Sequence, residues 1–191
     1  MPQILRSLLF LLFINTYAAP QLESTHPNPK GIPLFSSISH RFHQIVTEGR
    51  NELYLSGYAW HNRYFYNRHK IRQYNELAWG GGFGKGFYDD KGNWHSLAAI
   101  AFLDSHQNIE PTVGYTFLKI ATLGDGLKIG AGYTALVTSR ADLYHHIPFP
   151  GVLPWVSLIY RQATVSATYI PGSRGVGNVV YMLGKWTLDK I

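Results

Sequence analysis

The stretch LYLSGYAWHNRYFY, residues 53–66, alternates between two kinds of side chain. This period of two predicts a β-strand, because successive side chains of a strand point to opposite faces. Most of the aromatic rings share one parity, among them Tyr54, Tyr58 and Trp60. Tyrosine and tryptophan suit the boundary between lipid and water, so this face is predicted to meet lipid. His61 has the other parity and is predicted to point into the interior of a barrel.

The start of the chain differs in character from the rest. Arg6 precedes a short apolar run, residues 8–14, and small residues follow it, which predicts a signal peptide over residues 1–19. Residues 20–191 are predicted to form one domain, since no change of composition divides them. After the signal peptide no window holds the roughly 20 apolar residues of a transmembrane helix, so a membrane span would have to be a β-barrel. Cysteine is absent, which excludes disulfides and thiolate metal sites.

The remaining pattern predicts one helix and about eight strands. Apolar residues recur at spacings of three and four over about residues 33–48, ahead of Gly49, which indicates an amphipathic helix. Strand-like segments separated by turn-forming residues continue over about residues 52–188. An even number of antiparallel strands can close without an exposed edge. The predicted fold class is all-β, an eight-stranded antiparallel transmembrane β-barrel with an N-terminal amphipathic α-helix.

The glycine run GGGFGKG, residues 80–86, is not a phosphate-binding loop on this interpretation. Such a loop needs the GK[ST] ending and a following helix, and the run has neither in the predicted pattern.

Candidate chemistry lies in His61 and in the pair Asp104 and Ser105, within AFLDSH at residues 101–106. These residues supply a base, a carboxylate and a hydroxyl, which are the groups that ester chemistry requires. Asp104 and Ser105 are adjacent, so they can serve one site only where a strand ends. The polar residues that follow place that end at the water interface. The alternative readings are a turn cap for the Asp-Ser pair and a hydrogen-bonded interior histidine for His61.

Two arginines are candidates for binding a phospholipid headgroup. Arg63 has the same parity as His61, and Arg140 follows a predicted strand that ends at Thr138. A guanidinium group binds phosphate through two parallel hydrogen bonds. The alternative for each arginine is an ordinary charge at the rim. No metal site and no cofactor are predicted, because the paired histidines 145 and 146 have no further ligand at a fixed spacing.

Longer blocks of the sequence resemble one family. The stretches AWHNRYFY, RQYNELAWGGGFG, DDKGNWHSLAAIAFLDS, EPTVGYTF, GYTALVTSR, HIPFP, TYIPG and GNVVY are similar, in order and spacing, to the PagP family of outer-membrane lipid A palmitoyltransferases, over about residues 53–188. The resemblance implies a monomeric barrel in the Gram-negative outer membrane, with one acyl chain in its lumen and its active site at the extracellular rim. It also implies transfer of a palmitoyl chain from the sn-1 position of a glycerophospholipid to a hydroxyacyl chain of lipid A in lipopolysaccharide. Resistance to cationic antimicrobial peptides would follow.

The resemblance carries roles over to individual residues. The family's essential histidine falls on His61, its Asp-Ser pair on Asp104 and Ser105, and the arginine that closes one of its blocks on Arg140. In a transacylation His61 would act as the base, Asp104 would orient it, and Ser105 would attack the ester or donate to the oxyanion. Direct transfer without an acyl-serine is favoured, because no G-x-S-x-G elbow holds a nucleophile.

Some positions depart from the family's pattern. Thr116 stands where palmitate-selective members have glycine at the floor of the acyl pocket, so a donor chain shorter than palmitate is conceivable by volume. Prolines associated with lateral lipid access are kept at Pro154 and Pro171, whereas two others are replaced by Ser56 and Ala78. Because proline removes a donor from the strand ladder, its loss is expected to tighten that side of the wall.

Other functions stay open at this point. A non-catalytic small barrel for adhesion or membrane stability would show the same strands and would tolerate the loss of His61 and Ser105. A soluble, lipocalin-like carrier would be extracted without detergent. The formal charge of +6, with 17 Lys and Arg against 11 Asp and Glu, favours anionic partners such as lipid headgroups. Nucleic-acid binding is not predicted, because the basic residues are scattered along the chain.

Overall fold

Eight strands close into one antiparallel barrel. A computed structural model describes residues 33–141, 146–172 and 177–188; the predicted signal peptide, residues 1–19, lies outside this part. The helices are α1 (Pro33–Glu48) and the one-turn α2 (Arg68–Ile71). The strands are β1 (Arg50–His61), β2 (Gly80–Tyr88), β3 (Trp94–Leu103), β4 (Ile109–Gly124), β5 (Leu127–Thr138), β6 (Phe149–Tyr160), β7 (Ala163–Ile170) and β8 (Val179–Thr187). Each strand pairs with its neighbours in the chain, and β8 pairs with β1. The predicted fold class is confirmed.

The outer wall of the barrel is apolar, and hydroxyl side chains are buried in its lumen. Large apolar side chains are exposed on every side of the wall, as at Leu55, Phe83, Val113, Val137, Val152, Val165 and Trp186. Hydroxyl side chains are buried in the lumen, as at Ser96, Thr134, Ser157, Thr164 and Ser166. A soluble barrel faces water with polar side chains, so this distribution favours a barrel surrounded by hydrocarbon.

Strand β1 changes the face that it turns inward partway along its length. The β1–β8 register shifts between Ser56 and Tyr58, which makes Gly57 a β-bulge. A bulge inserts one extra residue and so reverses the alternation beyond it. Tyr54 is buried in the lumen before the bulge, and His61 is buried at the same inner face after it. The single alternation predicted for residues 53–66 is therefore wrong for the first half of the strand and correct at His61.

The glycines of β2 make room for two rings inside the lumen. A Cβ atom added to Gly86 would lie 2.2 Å from the Trp94 ring, and one added to Gly84 would lie 2.9 Å from the Tyr54 ring. Both approaches are too close for a side chain, so glycine is needed where other groups come this near the backbone. The glycine run thus positions Tyr54 and Trp94 across the lower part of the lumen.

Helix α1 packs on the outside of the barrel, at the end opposite His61. Ile45 is fully buried against the wall, whereas Phe42 and Val46 are 40% and 57% exposed. Lys85 donates to the carbonyl of Val46 at 2.9 Å, and the amide of Gly49 donates to the carbonyl of Ile45 at 3.0 Å, where the helix ends. The exposed apolar face fits a helix that lies at a membrane surface. In the described ranges, no helix is both long enough and apolar enough to cross a membrane.

The β1–β2 side of the wall is closed by a mixture of contacts. Strand pairing stops at Ser56 opposite Gly80. Beyond that level the segment before β2 lies along β1, and the amide of Ala59 donates to the carbonyl of Glu76 at 2.8 Å. The hydroxyl of Ser56 donates to the carbonyl of Ala78. Ser56 and Ala78 are therefore joined across this seam by a hydrogen bond.

The β6–β7 side is less completely paired. Its ladder begins at Trp155 opposite Thr168, so residues 149–154 of β6, including Pro154, lie outside that ladder. Pro171 follows directly after the end of β7 and is exposed. Among the described residues, β6 therefore has a stretch without β7 ladder pairing that ends at Pro154, and Pro171 lies just after the end of β7.

Candidate active site

His61, the last residue of β1, is enclosed at the rim of the lumen. Its side chain is 2% exposed. Tyr74 stacks on the imidazole with ring centroids 4.9 Å apart, and Tyr66 meets it edge-on at 5.3 Å. The hydroxyl of Tyr66 donates to the carbonyl of Gly177, which ties this ring to the segment just before β8, the strand next to β1. Packing on both faces fixes the plane of the imidazole.

Ser105 reaches His61 from a tight turn after β3. Its Oγ lies 3.0 Å from Nε2 of His61. The carboxylate of Asp104 caps this turn, since its Oδ1 accepts hydrogen bonds at 2.8 Å from the amides of His106 and Asn108. The amide of Asn75 donates to the carbonyl of Ser105 at 3.0 Å and joins the turn to the β1–β2 connection. The structure thus brings Ser105 to His61 because the strand ends there.

Asp104 does not have the contact that the sequence suggested for it. In the parts of the chain that the structure describes, its carboxylate bonds to its own turn, as a turn cap does, and His61 bonds to a different carboxylate. An aspartate in this position relieves the turn's unpaired amides and is held there by them. Asp104 therefore positions Ser105 rather than His61.

Glu76 is the carboxylate that contacts His61. Its Oε1 lies 3.3 Å from Nδ1 of the ring and also accepts the His61 amide at 2.9 Å. Arg63 holds the other side of Glu76 with two hydrogen bonds, at 2.8 and 2.7 Å. Burial alone would raise the pKa of Glu76, but the hydrogen bonds from Arg63 and His61 outweigh it and hold that pKa below its usual value. The hydrogen bonds from Arg63 and His61 thus favour the ionised form of Glu76.

Arg63 lies outside the lumen, contrary to the inward position that its parity predicted. Its side chain is 43% exposed, and its guanidinium group sits 5.8 Å from the centroid of the Trp60 ring. Strand β1 ends at His61, so the alternation no longer applies two residues later. Arg63 nevertheless has an acidic partner, because it donates two hydrogen bonds to Glu76.

Glu76, His61 and Ser105 form a connected series of acceptor, base and hydroxyl. With Nδ1 protonated, His61 donates to Glu76, and its Nε2 accepts the hydroxyl proton of Ser105. This is the arrangement that activates a serine or another hydroxyl placed on Nε2. The chemistry that the geometry can support is attack of a hydroxyl on an ester.

Two connected cavities lie below this series. The upper one, about 110 Å³, is lined by His61, Ser105, Tyr66 and Tyr74. The lower one, about 250 Å³, runs down the lumen. Both are lined by Phe102, Glu110, Arg140, Ile170 and Tyr181, so they meet at that level. An elongated apolar chain in the lower cavity would place its head beside Ser105.

Arg140 lies where the two cavities meet. Its Nε is 3.7 Å from Oε2 of Glu110, which is itself 8% exposed and accepts a hydrogen bond from Thr138 at 2.9 Å. The guanidinium group is about a quarter exposed, so it can still reach an anion at the cavity mouth. This position suits the headgroup role for Arg140 better than the exposed, paired position of Arg63 does.

Thr116 lies on the wall of the lower cavity. Its hydroxyl is 2.8 Å from that of Thr134 on the neighbouring strand. Leu118, two residues further down β4 and on the same face, also lines the cavity and is 5% exposed. Tyr54 and Trp94, seated on the β2 glycines, complete the bottom of the cavity. The bottom is therefore aromatic and aliphatic, with Thr116 one inward position above it.

A buried ion pair lies beneath these rings. Glu52 is fully buried and pairs with Lys185, which is 10% exposed. The hydroxyl of Tyr54 donates to Glu52 at 2.6 Å, and the ammonium group of Lys185 lies 3.9 Å from the centroid of the Trp94 ring. A buried charge is tolerated only when it is paired and hydrogen-bonded. Here Glu52 and Lys185 neutralise each other, and Tyr54 adds a hydrogen bond to Glu52.

Sequence reasoning missed Glu76 and Tyr74 as parts of the site. Both lie in RQYNELAWGGGFG, which carried a family resemblance but no assigned role. One signal was available, because Glu76 is the only acidic residue between Glu52 and Asp89. The β1–β2 connection thus contains one carboxylate beside the candidate histidine. Within the described residues, no group of three or more histidine, aspartate or glutamate side chains is arranged to hold a metal ion.

Comparison with known proteins finds a match over most of the barrel. Residues 41–185 match the model of a family described as "Antimicrobial peptide resistance and lipid A acylation protein PagP". The matched range includes every residue of the series from Glu76 to Ser105.

Characterised relatives cover nearly the whole chain. A protein of Legionella pneumophila named "Lipid A acyltransferase PagP" is 54% identical over 188 residues, which is 98% of this chain and 100% of the relative. One of Legionella longbeachae with the same name is 55% identical over 168 residues, 85% of this chain and 73% of the relative. One of Bordetella parapertussis, also so named, is 49% identical over 186 residues, 97% of this chain and 99% of the relative.

Proposed function

The chain belongs to the PagP family, and from this premise we propose that it is a lipid A acyltransferase of the outer membrane. It is an acyltransferase, as its relatives are. The observation that carries the proposal is the series Glu76, His61 and Ser105 at the mouth of an elongated lumen cavity. The apolar outer wall supports its place in a membrane, and the family supports the outer membrane.

The donor is a glycerophospholipid that gives up its sn-1 acyl chain, a palmitoyl chain or one close to it in length. The acceptor is the hydroxyl of a hydroxyacyl chain on lipid A. The donor's acyl chain occupies the lower cavity and passes the junction of the two cavities, and its ester lies beside Ser105 in the upper one. Arg140 at that junction binds the donor's phosphate.

In the first half-reaction the hydroxyl of Ser105 attacks the donor ester. His61 Nε2 accepts the hydroxyl proton, the Ser105 oxygen bonds to the ester carbon, and a tetrahedral oxyanion forms. The sn-1 oxygen then leaves with the proton held by His61, which releases a lysophospholipid and leaves an acyl-serine. Glu76 stabilises the protonated imidazole between these steps.

In the second half-reaction the hydroxyl of lipid A attacks the acyl-serine, as water does in a hydrolase. It gives its proton to His61, and the proton returns to Ser105 as the new ester leaves. The sequence favoured direct transfer because it lacks the G-x-S-x-G elbow. Tertiary contacts at Ser105 and Glu76 supply the base and the carboxylate that such an elbow normally assembles, which supports the covalent route.

Lipids enter from the side of the barrel, between β6 and β7. That wall lacks ladder pairing along residues 149–154, beside Pro154 and Pro171. The β1–β2 side is joined through Ser56 and Ala78 and is not used for entry. Lateral entry lets the acyl chain pass from the bilayer into the lumen without crossing water.

Thr116 narrows the lower cavity and limits the length of chain that fits. The Thr116→Gly substitution removes the side chain and its contact with Thr134, and is expected to admit a chain longer by about two carbons. The mass of the acyl group added to lipid A measures this directly. An unchanged mass would assign the limit to Trp94 and Tyr54 below instead.

Mass spectrometry of lipid A from cells that express the protein tests the proposed function. The wild type is expected to add the mass of one acyl chain, and His61→Ala and Ser105→Ala to add none. His43→Ala, which changes an exposed histidine of α1, is the matched control and is expected to behave as wild type. If the wild type adds no acyl mass while it is present in the outer membrane, the protein is not a lipid A acyltransferase.

Intact-protein mass spectrometry distinguishes the covalent route from direct transfer. Purified protein given donor phospholipid without acceptor is expected to gain one acyl group at Ser105. Failure to trap that species under conditions where transfer to added lipid A is complete would restore the direct route, with Ser105 as a donor to the oxyanion.

A further inference from the structure

The connection between β1 and α2 and the residues after it form a strongly basic loop beside the active site. We define the basic loop as residues 62–75. It contains three arginines, Arg63, Arg68 and Arg72, together with Lys70 and no aspartate or glutamate. Although basic residues are scattered along the sequence as a whole, these four lie in one loop at the rim.

Two of these arginines have no acidic partner among the described residues. Arg63 is bound to Glu76, but Arg68 and Arg72 are exposed, and neither has a carboxylate within 4 Å among the described residues. They lie one turn of α2 apart, since the Arg72 amide donates to the Arg68 carbonyl at 3.3 Å. Two guanidinium groups at this spacing share one face of the loop.

The basic loop is continuous with the catalytic series. Tyr74, close to its end, stacks on His61 at 4.9 Å, and the amide of Asn75 donates to Ser105 at 3.0 Å. At its other end Tyr64 is 89% exposed and meets Phe65 edge-on at 5.3 Å. Exposed rings next to cations are typical of a surface that meets lipid headgroups.

We propose that Arg68 and Arg72 dock the phosphate groups of the acceptor lipid and so bring its hydroxyacyl chain to Ser105. This inference rests on the proposed function and names the surface that selects the acceptor. Forked guanidinium groups recognise phosphate, and their exposure keeps them available to a ligand outside the barrel. The donor's phosphate lies elsewhere, because the donor chain fills the lumen and its headgroup falls near Arg140.

Charge and position together favour a phosphorylated glycolipid over other anions. The loop lies on the rim where the barrel wall meets the headgroup layer, next to outward-facing Trp60 and Trp79. Phosphorylated lipid A carries its phosphates on the same sugars as its acyl chains, so a phosphate held by the loop keeps an acyl chain close to the site.

The experiment compares two double variants of the purified full-length protein in detergent micelles. Arg68→Gln/Arg72→Gln removes two charges from the basic loop. Lys91→Gln/Lys119→Gln removes two exposed charges at the other end of the barrel and is the matched control. Each protein is titrated with lipid A bearing its phosphates and with the same lipid A after enzymatic removal of them.

The wild type and the control variant are expected to bind phosphorylated lipid A about tenfold more tightly than the loop variant, as the loss of two exposed ion pairs implies. On the dephosphorylated lipid all three proteins are expected to bind equally weakly. In transfer assays the loop variant should show the same rise in the KM for acceptor at an unchanged kcat. High salt should reduce the difference between variants.

Equal affinity of the loop variant and the wild type for phosphorylated lipid A overturns the inference. So does a loss that is the same with and without phosphates. Binding is measured without turnover, so the result stands even if the wild type transfers no acyl group. A wild type that transfers no acyl group would contradict the proposed reaction, whereas the binding data would still test the docking of phosphates.

Discussion

Two of the barrel's carboxylates, Glu52 and Glu76, hold cationic or basic partners at opposite ends of the lumen. Glu52 at the bottom is fully buried and pairs with Lys185 and Tyr54. Glu76 at the rim is 16% exposed and pairs with His61 and Arg63. The lower group lies against the Trp94 ring, with Lys185 and Tyr54 on the lining of the lower cavity, whereas the upper group borders the smaller cavity beside Ser105.

The difference shows what separates a structural charge from a functional one. At the bottom the Glu52 carboxylate, the Lys185 ammonium group and the Tyr54 hydroxyl are partners of one another. At the rim the Glu76 series ends in a hydroxyl, Ser105, which faces a cavity that can hold an ester. Similar residue types are thus paired with one another at the bottom, whereas at the rim they are connected to a hydroxyl that faces a cavity.

The largest expected effect is on stability and comes from the bottom pair. Lys185→Met leaves Glu52 buried without its cation and is expected to cost about 3–5 kcal/mol in the free energy of unfolding. Urea unfolding of the barrel in lipid vesicles measures the cost. The Glu52→Gln/Lys185→Met double variant should recover most of it, because no charge is then left unpaired.

Lys119→Met is the matched control, since Lys119 is exposed on the outer face of β4. It is expected to change the free energy of unfolding by less than about 0.5 kcal/mol. Equal losses in the Lys185 and Lys119 variants would show that the bottom pair has no special structural role.

The second prediction concerns the rim carboxylate. Glu76→Gln removes the charge that supports a protonated His61 and is expected to lower kcat about 10- to 100-fold, with a much smaller change in the free energy of unfolding. Glu76→Asp should restore part of the activity, which a purely structural role would not require. Initial rates of acyl transfer and the pH dependence of kcat give the readout.

A second carboxylate–histidine pair provides the control for Glu76. Asp89 lies 3.0 Å from Nε2 of His95 in the turn region at the opposite end. Burial tends to raise the pKa of Asp89, but hydrogen bonds from His95 and Asn93 hold it far below its usual value. Asp89→Asn is expected to leave kcat unchanged. A loss of kcat as large as that of Glu76→Gln would remove the distinction between the two pairs.

The smallest effect is expected from Arg63→Gln. Exposed ion pairs contribute little, so kcat should fall only about two- to fivefold. The pKa of Glu76 should rise towards its usual value, because the hydrogen bonds from Arg63 are the main cause of its lowering.

This substitution also gives a pH dependence whose sign is fixed. A lowered carboxyl pKa stabilises the folded state above the usual carboxyl value, and the gain is lost as the pH falls through the lowered value. The urea midpoints of wild type and Arg63→Gln should therefore differ most at neutral pH and converge in acid. A difference that grows in acid would mean that Glu76 is not the group involved.

Much of the fold followed from local pattern. The period of two, the helical spacing of residues 33–48 and the turn-forming residues predicted the helix and the eight strands. One local error arose at Gly57, because a bulge is a property of the pairing between β1 and β8 and leaves little trace in the alternation itself. The glycine run lies in strand β2, and the rings that it accommodates come from β1 and β3, which the run itself does not predict.

The site was harder to predict than the fold. His61 and Ser105 were found by residue type and strand position, and the structure places them 3.0 Å apart although 44 residues separate them. Asp104 was preferred to Glu76 because it stands next to Ser105 in sequence. In the structure Asp104 accepts hydrogen bonds from its own turn, whereas Glu76 contacts His61 across the β1–β2 seam.

The sequence by itself determined that this chain makes a membrane-facing barrel with a histidine, a serine and arginines near one rim, since side-chain period and residue type are local properties. Only the tertiary structure decided that Glu76 orients His61, that Asp104 caps a turn and that an ion pair closes the lumen. Those pairings depend on strand register, which sets every residue's neighbours only when all eight strands have closed.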